Sequence, residues 1–173
     1  MKNILILLLL PLFLVSGNLK LINGTIKAHT EVLGDTTINP SSSKIGTKLT
    51  IRRAITSIKG EIYISAKSLI SDNKSRDEHM YKTLKADSYK NISYKINSIK
   101  SSNGKYQLIG KLNFGGKIKS LNVNANIIQK GSNISLSSNF SIKVSDYGIK
   151  PPKLLFLSVR DKIDISVKLN LKK

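Results

Sequence analysis

The segment VRDKIDISVKLNL, Val159 to Leu171, alternates apolar and polar residues without a break from Ile163 onward. In an extended chain, successive side chains point to opposite faces. Ile163, Ile165, Val167, Leu169 and Leu171 therefore share one face, and Lys162, Asp164, Ser166, Lys168 and Asn170 share the other. Such a strand is half-buried, and the identity of its polar face decides the kind of sheet it joins. A membrane barrel turns its apolar face to lipid and its polar face inward. A lysine at mid-membrane on the lipid face costs ~2–4 kcal/mol, and several would be needed here. The chain also has no Trp for aromatic girdles and ends in Lys172-Lys173. The alternation reads as polar outside and apolar inside, the pattern of a soluble barrel.

The same two-residue period recurs upstream. Ile26, Ala28 and Val32 share a face over Thr25 to Val32, Leu49 and Ile51 over Lys48 to Arg52, and Ile62, Ile64 and Ala66 over Lys59 to Ala66. A further alternation opens at Ile92, Tyr94 and Ile96. Tyr106, Leu108, Leu112 and Phe114 follow in Lys105 to Phe114, then Leu121, Val123, Ala125 and Ile127 in Ser120 to Ile127. Ile134, Leu136, Phe140, Ile142 and Val144 occupy Asn133 to Val144. Asn103-Gly104, Gly115-Gly116 and Lys130-Gly131-Ser132 are short enough to close hairpins. Asp146 to Pro152 reads as a longer connection, because Pro151 and Pro152 lack two consecutive donors. About eight strands result, which predicts an all-β fold closed into one antiparallel barrel. An interior of that size holds side chains or one small ligand. Helical spacing is confined to a short crossing near Arg76 to Lys85.

Length and composition bound the function. The 173 residues suffice for one domain with a sizeable core. Lys and Arg number 29 against 10 Asp and Glu, a net charge of +19. The lysines are spread along the chain and no nucleic-acid module is recognisable, so no specific nucleic-acid partner is expected. An anionic membrane surface or polymer is the partner that such a charge fits. The absence of Cys excludes disulfides, thiolate metal sites and a Cys nucleophile. With only His29 and His79, a His-rich metal site is not expected, and no cofactor is implied.

Met1 to Gly17, MKNILILLLLPLFLVSG, has a basic start, an apolar run from Ile4 to Val15 and small residues at Ser16-Gly17. That is the pattern of a secretory signal peptide cleaved after Gly17, with an uncleaved N-terminal anchor as the alternative. The mature domain is then 18–173, in the periplasm or secreted. The segment contains no Cys to which a lipid could be attached.

The polar crossing concentrates the charged side chains other than lysine. Asp72, Arg76-Asp77 and His79-Met80 are followed by Tyr89 and Asn91-Ile92-Ser93-Tyr94. Tyr106 to Leu112 leads to Gly115-Gly116-Lys117, and Phe140 to Ile149 and Val159 to Ile165 follow in the same order. Together these elements resemble the YceI family, exported lipocalin-like proteins that bind polyisoprenoid-type lipids. Asn91 stands where that family usually carries a proline. The resemblance runs from about Gly24 to Leu171, although Gly34 to Arg53 is loosely patterned. It implies an eight-stranded antiparallel lipocalin-like barrel with a lipid tunnel, and no catalytic residues.

On that reading the apolar tunnel is lined by Leu108, Leu112, Phe114, Leu121, Val123, Phe140, Ile142, Ile163, Ile165 and Val167. Its ligand would be a long-chain isoprenoid or fatty amphiphile, and a homodimer stays open. Arg76, Asp77 and His79 are candidates for the tunnel mouth, where Arg would suit a phosphate or carboxylate. Their alternative role is structural: Asp77 capping a helical turn, with Arg76 paired to a nearby acid. Catalysis would need a nucleophile activated by an oriented base. Ser75, the nearest hydroxyl, lies in no nucleophile turn. His29 falls on the polar face of the first alternation, as a surface histidine does.

Overall fold

The computed structural model describes residues 16–32, 36–154 and 157–173. The expected leader therefore lies, except for Ser16 and Gly17, outside the described residues. In chain order the strands are β1 (Gly17–Val32), β2 (Thr36–Ile38), β3 (Ser41–Ser42), β4 (Ile45–Ile51), β5 (Lys59–Ser65) and β6 (Asn91–Ser102). They continue with β7 (Lys105–Phe114), β8 (Lys117–Lys130), β9 (Asn133–Lys143), β10 (Lys153–Leu154), β11 (Leu157–Ser158) and β12 (Lys162–Lys172). Helix α1 (Lys74–Thr83) crosses between β5 and β6.

Eight strands close on themselves in the order β12-β9-β8-β7-β6-β5-β4-β1, with β1 returning to β12. The expected eight-stranded antiparallel barrel is the observed fold. Closure is visible in β12, which is paired along both edges. Ile163, Leu169 and Leu171 face Ile142, Leu136 and Ile134 of β9, while Ile165 and Val167 face Ala28 and Ile26 of β1. A slip of one residue would turn every one of these side chains to water.

Three hairpins are made as their turn residues require. Asn103 and Gly104 have φ of 49° and 74°, and Gly115 and Gly116 have 57° and 80°. Both central residues of these turns are left-handed, which matches the twist of the flanking strands. At Gly131-Ser132 only the glycine is left-handed, with φ 59°.

Strand β1 differs from its expected form. It starts at Gly17, ahead of the alternation seen at Thr25, and pairs in turn with β4, β3 and β2 along one edge. A bulge between Leu21 and Asn23 inserts Ile22 as an extra residue. That is why the alternation is illegible at this point and why Ile22 is 53% exposed.

The interior is divided into two. One half is closed by a packed cluster that includes Leu19, Ile51, Ile58, Ile99, Ile134 and Leu171. The other half holds a second cluster that includes Leu84, Leu112, Phe114, Ile142 and Tyr147. Tyr94 packs against both. Its hydroxyl is shared between the Leu108 carbonyl at 3.1 Å and the Leu121 carbonyl at 2.8 Å. Burial pushes the Tyr94 phenol up to about 12, because the charged form would be desolvated there.

Candidate functional site

The strand ends opposite the packed cluster enclose an apolar cavity of about 550 Å³. Its walls follow from the inward phase of the alternation. Ile26 and Ala28 come from β1, Ile64 from β5, and Ile92 from β6. Leu112 and Phe114 come from β7, Ile142 from β9, and Ile163 and Ile165 from β12. A barrel end has no further strand to cover it, so the roof is built from connections. Met80 and Leu84 of the α1 region, four residues apart on one helical face, cover one side. Leu69, Pro40 and Ile149 with the Pro151-Pro152 pair cover the rest.

The expected tunnel residues thus divide. Leu112, Phe114, Ile142, Ile163 and Ile165 border this cavity. Leu108 and Val123 lie in the packed half, and Val167 packs against it. Leu121 lies between the two halves. Phe140 borders a second recess, of about 610 Å³, together with Lys27, His29, Asn39, Ser141 and Asp164. Ala28 and Ile165 border both spaces. Sequence reasoning missed the roof, because Met80, Leu84 and the two prolines lie outside every strand pattern. The one available signal was the Met80/Leu84 spacing in an otherwise polar helix.

Arg76, Asp77 and His79 all border the cavity. Helix α1 begins there because Asn73 caps it, its Oδ1 accepting the Arg76 N–H at 3.0 Å. Asp77 is buried in the first turn, and both of its carboxylate oxygens accept the Ser71 N–H at 3.0 Å. It fastens the chain before the helix, while the capping itself falls to Asn73. Arg76 donates to the Thr37 carbonyl at 3.3 Å and reaches Asp72 at 3.4 Å. His79 is exposed. Arg160 completes the rim, 3.2 Å from Asp164 and 3.6 Å from Glu31.

Next to the rim, His29 is held from both sides. Its Nδ1 lies 2.6 Å from Asn39 Oδ1 and its Nε2 3.1 Å from Glu31 Oε1. Two acceptors select the imidazolium form, so Asn39 foremost, and then Glu31, raise its pKa above the ordinary value. Asp164 accepts from Ser141 at 2.5 Å and meets Lys162 at 3.0 Å. Those partners lower its carboxyl to about 2.

Two of the hydroxyls that border the cavity are tied to the backbone: Thr83 donates to the His79 carbonyl at 2.8 Å, and Thr30 reaches the Lys162 carbonyl at 3.2 Å; Ser75 also borders it. Among the described residues, no group of acidic residues and histidines could hold a metal ion. The arrangement suits binding: an apolar space, a polar rim and a packed floor.

A family model described as a YceI-like domain matches residues 14–171. Similar solved structures share the fold at low identity. Burkholderia cenocepacia BcnA superposes with a TM-score of 0.75 at 17% identity, covering 85% of this chain and 95% of that one. A polyisoprenoid-binding domain from Saccharophagus degradans gives 0.66 at 11%, covering 89% and 97%. The YceI protein of Campylobacter jejuni gives 0.64 at 20%, covering 75% and 81%. No curated protein matches the chain in sequence.

Proposed function

The protein belongs to the YceI-like domain family, and we propose that it holds one isoprenoid or similar long-chain amphiphile in the apolar half of its barrel. The observation that carries this reading is the cavity of about 550 Å³, walled by Ile, Leu, Phe, Met and Pro side chains. Ligand pockets run from ~300 to 1,000 Å³ and bind mainly through apolar burial. The polyisoprenoid-binding domain among the structural neighbours supports the choice of ligand class. The tail would lie against Leu112, Phe114, Ile142, Ile163 and Ile165, with its end toward Tyr94. The polar end would emerge at the rim, where Arg76 and Arg160 present guanidinium groups and His79 is open to solvent. Asp77 would act through position, holding the roof helix in place.

The role is carriage or sequestration: the apolar walls supply binding through burial, and Thr30 and Thr83 at the cavity are held by backbone carbonyls. On its N-terminal pattern the chain is exported and works in the periplasm or beyond the cell. N-terminal sequencing of the protein recovered outside the cytoplasm tests that part; a chain still starting at Met1 contradicts it. Native mass spectrometry of the purified protein with added isoprenol tests binding. One apolar molecule retained per chain is expected, and exclusion of every isoprenoid offered would overturn the proposal.

A further inference from the structure

Charge is distributed unevenly between the two ends of the barrel. Every acidic residue described, except Glu61, lies at or near the end that carries the cavity mouth. So does every ion pair among the described residues, from Lys67–Asp87 to Lys162–Asp164. At the closed end, the hairpin tips and strand ends carry Arg52, Arg53, Lys100, Lys105 and Lys130 with no acid beside them.

The strand register extends this end up the outer wall. Lys130 of β8 faces Asn133 of β9, which faces Lys172 of β12, which faces Lys20 of β1. These residues form one row across four neighbouring strands, and all four are exposed. Around the wall, Lys95 of β6 faces Lys111 of β7. Like charges directly opposite one another destabilise a sheet pair: Lys20/Lys172 is such a pair at the closed end and Lys95/Lys111 one at mid-wall, whereas in the Lys143/Lys162 pair at the mouth end Asp164 meets Lys162. Glu61 stands between Lys48 and Lys95 and is the one acid on this stretch of wall. Two exposed apolar side chains flank the lysine row, Ile128 on β8 and Ile22 at the β1 bulge, 49% and 53% exposed.

We propose that the closed end of the barrel docks on an anionic phospholipid surface, leaving the cavity mouth facing away from it. A cationic end whose hairpin tips carry no acid gains from each Lys or Arg brought near an anionic bilayer. Exposed apolar side chains occur toward both ends, Ile22 and Ile128 here and Ile70 and Ile118 toward the mouth, so the charge asymmetry selects this end. The exposed aromatic residue among the described side chains, Tyr89, lies at the mouth end and offers no stacking platform here. Single-stranded nucleic acid, which binds by stacking as well as charge, is therefore the less suited polyanion. The proposal does not depend on what the cavity holds.

The test uses the full chain and vesicles of phosphatidylcholine with and without phosphatidylglycerol, read by co-sedimentation at low and high salt. The closed-end variant combines Lys20→Glu, Arg52→Glu, Lys130→Glu and Lys172→Glu. The mouth-end variant combines Lys74→Glu, Lys82→Glu, Lys117→Glu and Lys150→Glu, an equal change in net charge. Glutamine versions of both sets, with melting temperatures measured alongside, guard against loss of fold. The expected result is salt-sensitive binding to anionic vesicles, cut at least about tenfold by the closed-end set and less than about threefold by the mouth-end set. Equal losses from the two sets would overturn the proposal. So would binding to heparin or DNA with no binding to vesicles.

Discussion

The phenol of Tyr94 occupies the space that a side chain at Gly110 would need. A Cβ placed on Gly110 would stand 2.7 Å from Tyr94 Cζ and 2.8 Å from its hydroxyl oxygen, as well as 2.3 Å from the Lys95 carbonyl oxygen. The glycine is thus required by a neighbour, since its own φ is not left-handed. By accepting the ring, it lets Tyr94 lie across the interior and part the packed half from the hollow one. Gly110→Ala should cost about 1–3 kcal/mol through overpacking. Denaturant unfolding measures this; an unchanged midpoint would show that both the ring and the Lys95 carbonyl give way freely.

Tyr94 should also limit the length of the guest. Tyr94→Ala removes the partition and extends the apolar space toward Leu108 and Val123. Binding of isoprenols of increasing length should then shift toward the longer ones, while overall stability falls by about 3–5 kcal/mol as for other large-to-small core changes. An unchanged length preference in a folded variant would place the floor elsewhere. In the wild type, ultraviolet titration should find one tyrosine ionising near pH 12, and Tyr94→Phe should remove that component.

Asp77 anchors the roof. Replacing it with Ala leaves the Ser71 N–H without its acceptor, which costs roughly 1–3 kcal/mol for a buried donor. Hydrogen exchange should rise in α1 before it rises in the strands, and a bound amphiphile should leave faster. Asp77→Asn retains one acceptor oxygen and should fall between the two. If exchange in α1 is the same in Asp77→Ala as in wild type, the carboxylate does not hold the helix.

The His29 cluster gives a pH dependence with a defined sign. Its folded pKa is raised, chiefly by Asn39 and then by Glu31, so protonation favours the folded state. The contribution is complete below the ordinary histidine pKa and disappears as pH rises through the higher folded value. NMR titration of the His29 ring should report a pKa above that of a free histidine. Asn39→Ala should bring it down; no change on that substitution would contradict the assignment.

Much of this was legible in the chain. The alternation from Ile163 to Leu171, and its counterparts in β7, β8 and β9, specify side and register because a slip of one residue exposes every inward side chain. The turn pairs Asn103-Gly104 and Gly115-Gly116 carry their conformation in their residue types. The division of the interior was not legible, since Leu108, Leu112 and Leu121 share one inward phase. Which of them meets a hollow depends on where Tyr94 crosses, a contact between neighbouring strands. The roof was hidden for a similar reason: Met80, Pro151 and Val159 converge only once the barrel has closed. At the mouth, Arg76, Asp77 and His79 were found together, but the short-range hydrogen bonds assign the capping to Asn73.

The central claim is that the hollow half of the barrel binds an isoprenoid-type chain. Binding of a fluorescent isoprenol by the wild type and by Ile92→Trp, a change that fills the cavity from β6, tests it most directly. The account predicts saturable binding of one molecule per chain in the wild type and at least about tenfold weaker binding in the folded variant. Equal binding by the two proteins, or none by either, would contradict it.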